Sequence, residues 1–319
     1  MHFYKAIVAA VLFFVGAMQF AHAAAPSETP AVAPGITGTG EPAHAEGHHG
    51  LPPDAPRFHL GPLVFTNSMV VTWIVAIALI IFAQIATRKS QLIPSGLQNF
   101  VEWMVEGLYD FLSGILGSFL VKKSFWFFAT LFIFILFTNW FGLLPGVGTI
   151  FYKGEHGWAP ILRGGNADLN MTIAMALVFF FLWIVWSVQA LGVGGSLKHI
   201  FVGEGGGTGA MKVFMVAIFF FVGVIEVISI MFRPVSLSFR LYGNIFAGEN
   251  ILESMMTLVP WLGWLLPLPF YFLELLVGLV QALVFTLLTA VFTALMIGSH
   301  GEHGHAHGAG HSAGAHAHH

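Results

Sequence analysis

The chain has 319 residues, of which 57% are hydrophobic and only 8% are charged. An ordinary soluble domain carries about 25% charged residues, so a single soluble globular domain is excluded, and the 33 Phe and 9 Trp suit lipid-facing helices instead. Net charge is −3 with 12 scattered Lys and Arg, which leaves no basic face for nucleic acid, and the absence of Cys excludes disulfides, thiolate metal sites and Cys nucleophiles.

Residues 1–23 read as a cleaved signal peptide. Lys5 gives a short positive start, Ala6 to Phe20 form the apolar core, and Ala21-His22-Ala23 fits the small-residue cleavage rule. The alternative is an uncleaved first membrane helix; the short core and the Ala/Pro-rich stretch behind it favour cleavage. Residues 24–58 are rich in Ala, Pro, Gly, Glu and His, lack periodicity and are expected to be disordered.

A membrane domain is expected over 59–298. Crossing a hydrocarbon core of about 30 Å takes about 20 apolar residues, and five regions qualify: Met69–Ala86, Phe125–Leu144, Met171–Leu191, Val213–Met256 and Trp261–Ile297. The last two exceed one span, so each is either a long tilted helix or a re-entrant pair. Between the first two, Leu97, Phe100, Val101, Met104, Val105, Leu108, Phe111 and Leu112 recur at helical spacing, with Glu102, Glu106 and Asp110 on the other face. This predicts an amphipathic helix at the membrane interface, with Pro94-Ser95 as its start signal. The fold class is therefore an all-α polytopic membrane protein with five crossing helices and one interfacial helix.

Arg88, Lys89, Lys122, Lys123, Lys198 and Lys212 flank the spans on one side, and Arg57, Lys153 and Arg163 on the other. The positive-inside rule puts the first group in the cytoplasm, the mature N-terminus outside and the C-terminus inside. The run Gly203-Glu204-Gly205-Gly206-Gly207 lacks the Lys and Ser/Thr of a phosphate-binding loop and reads as a flexible linker. The tail 299–319 holds eight His among Gly and Ala and is expected to be a solvated low-complexity segment.

Ionisable groups inside membrane helices are costly and are functional candidates by default. Here they gather in the last two regions: Glu226, Arg233, Arg240, Glu249, Glu253 and Glu274, with the amides Asn244 and Gln281. At about 100° per residue, Glu226, Arg233, Arg240 and Asn244 stay within about 40° of one another and form one polar stripe, with Pro234 as a possible kink. Glu249 points about 140° from that stripe, while Glu274 and Gln281 share a face of the final helix. Two polar stripes on neighbouring helices point to a hydrated path through the bilayer; the plainer alternative is Arg240 paired with a Glu as internal glue. None of the 16 His falls within a span, which argues against haem.

The segment from Arg233 to Glu249, RPVSLSFRLYGNIFAGE, closely resembles the signature of subunit a of F-type ATP synthases, the static membrane subunit beside a rotating ring of c subunits. Asn139 to Pro145 (NWFGLLP), Ala167 to Asn170 (ADLN), Leu279 to Ala282 (LVQA) and the element near Gln98 and Glu102 are similar to it as well. The resemblance covers about residues 60–298. It implies long, tilted fourth and fifth spans that wrap the ring. It implies Arg240 as the essential stator arginine, with Asn244 and Gln281 as polar neighbours and Ser236 as a further half-channel residue. Glu249 then belongs to the outer half-channel, paired with Glu274, and Glu226 to the inner one. Arg233 is a basic position in other members, and Glu253 has no counterpart. The implied partners are the c-ring, the subunit b peripheral stalk, indirectly the F1 sector, and lipid; no cofactor or metal is implied. The implied location is a bacterial inner membrane. An independent channel or secondary transporter is the alternative, and it commonly brings an internal repeat, which the polar residues do not show.

Overall fold

The computed structural model describes residues 57–60, 63–88, 96–144, 147, 151–154, 157–160, 162–201, 210–258, 260–262 and 265–298. The expected signal peptide, most of the 24–58 segment, Pro94-Ser95, the glycine run 203–207 and the His-rich tail lie outside the described residues.

Among the described residues, five helices are long and apolar enough to cross a membrane. Helix α1 spans Asn67–Thr87, and its 21 residues rise about 31 Å, one membrane thickness. Thr66 caps it, its side chain accepting from the Met69 N–H at 3.4 Å. Helix α2, Leu97–Gly142, joins two elements that the periodicity keeps apart, the amphipathic stretch and the second span. The join is a sharp break at Gly117, where φ is 75° and ψ is 161°. That left-handed φ is open to glycine without a Cβ clash, so one helical run changes direction without an intervening loop.

Helix α3, Leu169–Phe201, breaks in the same way at Gly192 (φ 70°), one residue after the expected end of the third span. Helix α4, Ala210–Leu258, has 49 residues and runs through Pro234. Helix α5 spans Leu268–Gly298. It starts later than the apolar run suggests, because Pro260–Leu262 form a separate 3-10 turn. Proline is favoured in a helix's first turn or just before it, and Pro267 and Pro269 sit there. The 31 residues of α5 rise about 46 Å and those of α4 about 74 Å. Both exceed a bilayer core, so they cross it tilted or extend beyond it. Outside the helices lie two short antiparallel hairpins, β1 (Arg57–Leu60) with β2 (Leu63–Thr66), and β3 (Phe151–Gly154) with β4 (Gly157–Pro160).

Helix α2 packs on α5, and α3 on α4. The centre is aromatic: Phe127, Phe128, Phe134 and Phe285 are fully buried, and Trp186 of α3 meets the Phe127 ring edge-on at 5.6 Å. Coverage is uneven. In the most apolar stretch of α2, 61% of residues are buried, but only 11% in that of α4. One side of α4 therefore faces lipid or another subunit.

The loop 162–168, before α3, is drawn into the helices. Asp168 accepts from Ser68 Oγ at 2.6 Å and from the Asn170 N–H at 3.0 Å. Asn166 donates to Asn139 at 2.7 Å, and Asn139 donates to the Gly278 carbonyl at 3.0 Å, so one amide chain ties loop, α2 and α5 together. In a bilayer such groups have no water to fall back on. Gly165 fits a slot where a Cβ would come 2.7 Å from Thr72 Oγ1 and 2.8 Å from Thr138 Cγ2. Overpacking of this kind costs about 1–3 kcal/mol. Gly165→Val is expected to lower the melting temperature of the detergent-solubilised chain, while Gly114→Ala, whose Cβ meets nothing within 4 Å, leaves it unchanged. Equal melting of the two variants would refute this account of the slot.

Candidate functional site

The polar residues of α4 divide into three places along its axis. Nearest its N-terminus, Arg233 donates to Glu226 Oε1 at 2.8 Å. The Arg233 guanidinium also lies over the Phe292 ring of α5, 4.5 Å from its centroid. A cation over an aromatic face is held by the ring quadrupole, an attraction of about 0.5–2 kcal/mol. The seven-residue spacing thus makes a bonded pair, anchored to the neighbouring helix.

Arg240 stands about 21 Å along the helix from Glu226. Its side chain is exposed, and among the described residues it makes no ion pair. The internal-glue alternative required a Glu partner for Arg240; the ion pairs fall elsewhere. Ser236, one turn before Arg240, is exposed on the same face. Around them Val235, Phe239, Met231 and Phe232 are exposed and apolar. Asn244, one turn beyond Arg240, donates to Gln281 Oε1 of α5 at 2.7 Å. Gln281 is buried, and its Nε2 has no hydrogen-bond partner in the structure.

The third place is about 14 Å beyond Arg240. Glu249 turns away from the stripe, as its angle predicted, and meets the 162–168 loop. Arg163 Nε donates to Glu249 Oε2 at 3.4 Å, and the Gly164 N–H donates to the same carboxylate. The Arg163 side chain is only 2% exposed, and its guanidinium lies 5.6 Å from the Phe246 ring centroid. Glu274 of α5 is buried beside Gly248, where any Cβ would collide with its carboxylate. Among the described residues its Oε1 has no hydrogen-bond partner, and it lies near enough to Glu249 for their charges to interact. Gly248 has no side chain to separate Glu274 from α4. Glu253 follows Glu249 by one turn and is half-buried.

The candidates are therefore brought together as Glu226 with Arg233, Asn244 with Gln281, and Glu249 near Glu274. Arg240 and Ser236 stay apart on the uncovered face. Arg163 is the residue that sequence reasoning missed; it counted only as a basic residue on the outer side. Its one signal is position, four residues before the ADLN stretch. Among the described residues no three His, Asp or Glu side chains come together as a metal site.

A family model described as ATP synthase A chain matches residues 69–294. The chain is 35% identical to ATP synthase subunit a of Gloeobacter violaceus over 251 residues, covering 77% of this chain and 90% of the relative. It is 34% identical to ATP synthase subunit a of Moorella thermoacetica over 243 residues, covering 76% and 96%. It is 36% identical to the subunit a of Trichlorobacter lovleyi over 226 residues, covering 71% and 85%. The match reaches into all five membrane helices and includes every polar side chain of the candidate site, and the chain belongs to the ATP synthase subunit a family.

Proposed function

We propose that this chain is the static proton-carrying subunit of the ATP synthase membrane sector, with two half-channels that meet at Arg240 against a rotating ring of carboxylate-bearing subunits. The observation that carries this reading is Arg240 itself: an exposed arginine with no ion pair among the described residues, set in an apolar, uncovered helix face.

A charge at the bilayer centre costs at least about 2.5–3.5 kcal/mol. A rotor carboxylate must therefore be neutral while it faces lipid and charged only where the stator offers compensation. A guanidinium remains charged at any working pH and favours the ionised form of a carboxylate beside it. It also repels a proton that would pass directly from one half-channel to the other. During synthesis, protons enter from outside past Glu249 and Glu274 and neutralise a rotor carboxylate. After nearly a full turn through lipid the proton leaves past Glu226. Asn244 and Gln281, bonded at 2.7 Å, tie α4 to α5 beside Arg240, and Ser236 adds a hydroxyl on the same face. Each charge driven by 100 mV gives about 2.3 kcal/mol, so several protons serve one ATP. ATP chemistry belongs to partner subunits.

The basic flanks Arg88, Lys122 and Lys123 support a cytoplasmic side, with the N-terminus outside and the C-terminus inside a bacterial inner membrane. The peripheral stalk subunit b is a further partner on this reading. The N-terminal 23 residues serve as the signal peptide that delivers this orientation.

Arg240→Ala is expected to abolish ATP-driven acidification of inverted vesicles while the detached soluble sector still hydrolyses ATP. Normal pumping by that variant would sink the proposal. Glu226→Gln is expected to slow pumping without abolishing it, by less than the ~10²-fold of a lost proton-transfer group, because water can bridge an aqueous path. Pumping by Glu226→Gln as low as that of Arg240→Ala would contradict its peripheral place.

A further inference from the structure

We propose that Arg163 is a positioning residue of the outer half-channel: it holds the Glu249 carboxylate so that Glu249 and Glu274 together carry one transferable proton. This rests on the outer-path assignment of those two acids made above.

Three observations carry it. Arg163 comes from the loop before α3 yet is 2% exposed, so it sits inside the protein at the carboxylates and not in the solvent outside. Its Nε bonds Glu249 at 3.4 Å, and the adjacent Gly164 N–H bonds the same carboxylate. Gly164 permits this approach, since a Cβ there would come 2.5 Å from Glu249 Oε1. On the far side Glu274 is buried, with Oε1 unbonded, beside a Gly248 that leaves it room against α4. Among the described residues, the nearest ionisable groups along the three elements are Asp168, bonded to Ser68 and Asn170, Glu253, one turn along α4, and Tyr271, one turn before Glu274 on α5.

Charge counting supplies the function. Taken by themselves, Arg163, Glu249 and Glu274 hold one permanent positive charge and two carboxyl groups, and buried groups with uncompensated charge are penalised. One bound proton makes the three groups neutral. Two protons leave the guanidinium unmatched, and none leaves a surplus negative charge. Arg163 therefore keeps one carboxyl open as an acceptor while the other holds the proton. In one cycle Glu274 gives its proton toward the rotor carboxylate. Glu249 takes a proton from the outside water and passes it to Glu274, and the bond to Arg163 re-forms. Only O–H bonds are made and broken, and one proton enters for each that leaves.

The test uses the whole complex in inverted vesicles, comparing Arg163→Gln, Arg163→Lys, Glu249→Gln and the double variant Arg163→Gln/Glu249→Gln. Arg163→Gln is expected to lower ATP-driven pumping about tenfold or more and to change its pH profile, because the guanidinium that holds the Glu249 carboxylate is gone. Arg163→Lys is expected to recover part of the rate. The double variant is expected to pump no worse than Glu249→Gln alone, since Arg163 acts through Glu249. A wild-type rate and pH profile for Arg163→Gln overturns the inference while leaving the outer path intact, provided Glu249→Gln is impaired. Normal pumping by Glu249→Gln overturns both. Should Arg163→Gln fail to assemble, Gly164→Ala decides, because it crowds Glu249 away with Arg163 in place. The same loss and a changed pH profile support the inference, and a wild-type profile overturns it.

Discussion

The cost of a charge in hydrocarbon governs the whole arrangement. Every ionisable group along α4 must be paired, reach water or be matched by something outside the chain. Arg233 and Glu226 solve the problem within the chain, with Phe292 as a third support. Glu249 solves it with a guanidinium brought from a loop. Arg240 solves it in neither way, and it stands on the side of α4 that the other helices leave uncovered. A long apolar helix with one bare arginine is a poor finished surface but a good half of an interface whose other half carries a carboxylate.

The outer cluster depends on packing far from its charges. Arg163 reaches Glu249 because its loop is held inward at three points: Asp168 on Ser68 of α1, Asn166 on Asn139 of α2, and Gly165 in the slot between Thr72 and Thr138. Asn139 then passes the restraint to α5 through the Gly278 carbonyl, and the Trp140 indole adds a bond to the Leu275 carbonyl at 3.1 Å. Leu275 and Gly278 bracket the turn that follows Glu274. The NWFGLLP and ADLN stretches thus help to set the placement of the two carboxylates and their guanidinium.

Much of this was legible in the sequence because membrane physics writes strong signals. Span length and apolarity located all five helices, and 7-residue spacing put Glu226 with Arg233 correctly on one face. The angle of Glu249 correctly turned it from the stripe. What escaped is what depends on tertiary approach. The break at Gly117 was invisible because one glycine in a helical pattern has no fixed meaning, so the interfacial helix and the second span looked separate. The late start of α5 was hidden by apolar Trp261, Leu262, Leu265 and Leu266, which form turns despite their hydropathy. Arg163 was hidden because a basic residue in an outer loop ordinarily faces water; only the small neighbours Gly164 and Gly165 allow this loop to enter the bundle.

On the proposed reading Arg240 needs a firm position, since a guanidinium that followed a passing carboxylate would not separate two paths. Helix α4 is poorly buried, so general packing cannot hold it. The ties to α5 fall on both sides of Arg240 instead: Arg233 against Phe292 two turns before it, and Asn244 with Gln281 one turn after it. Phe292 is itself fixed, because its carbonyl accepts from the Trp183 indole of α3 at 3.3 Å. Ser238 adds a bond to the Thr172 carbonyl of α3 at 3.3 Å, on the covered side of α4. The backbone at Arg240 is thereby clamped from two helices while its side chain stays free on the third side. Rigidity of the support and freedom of the tip come from the same few polar contacts, which is why so exposed a helix can carry a residue whose position matters.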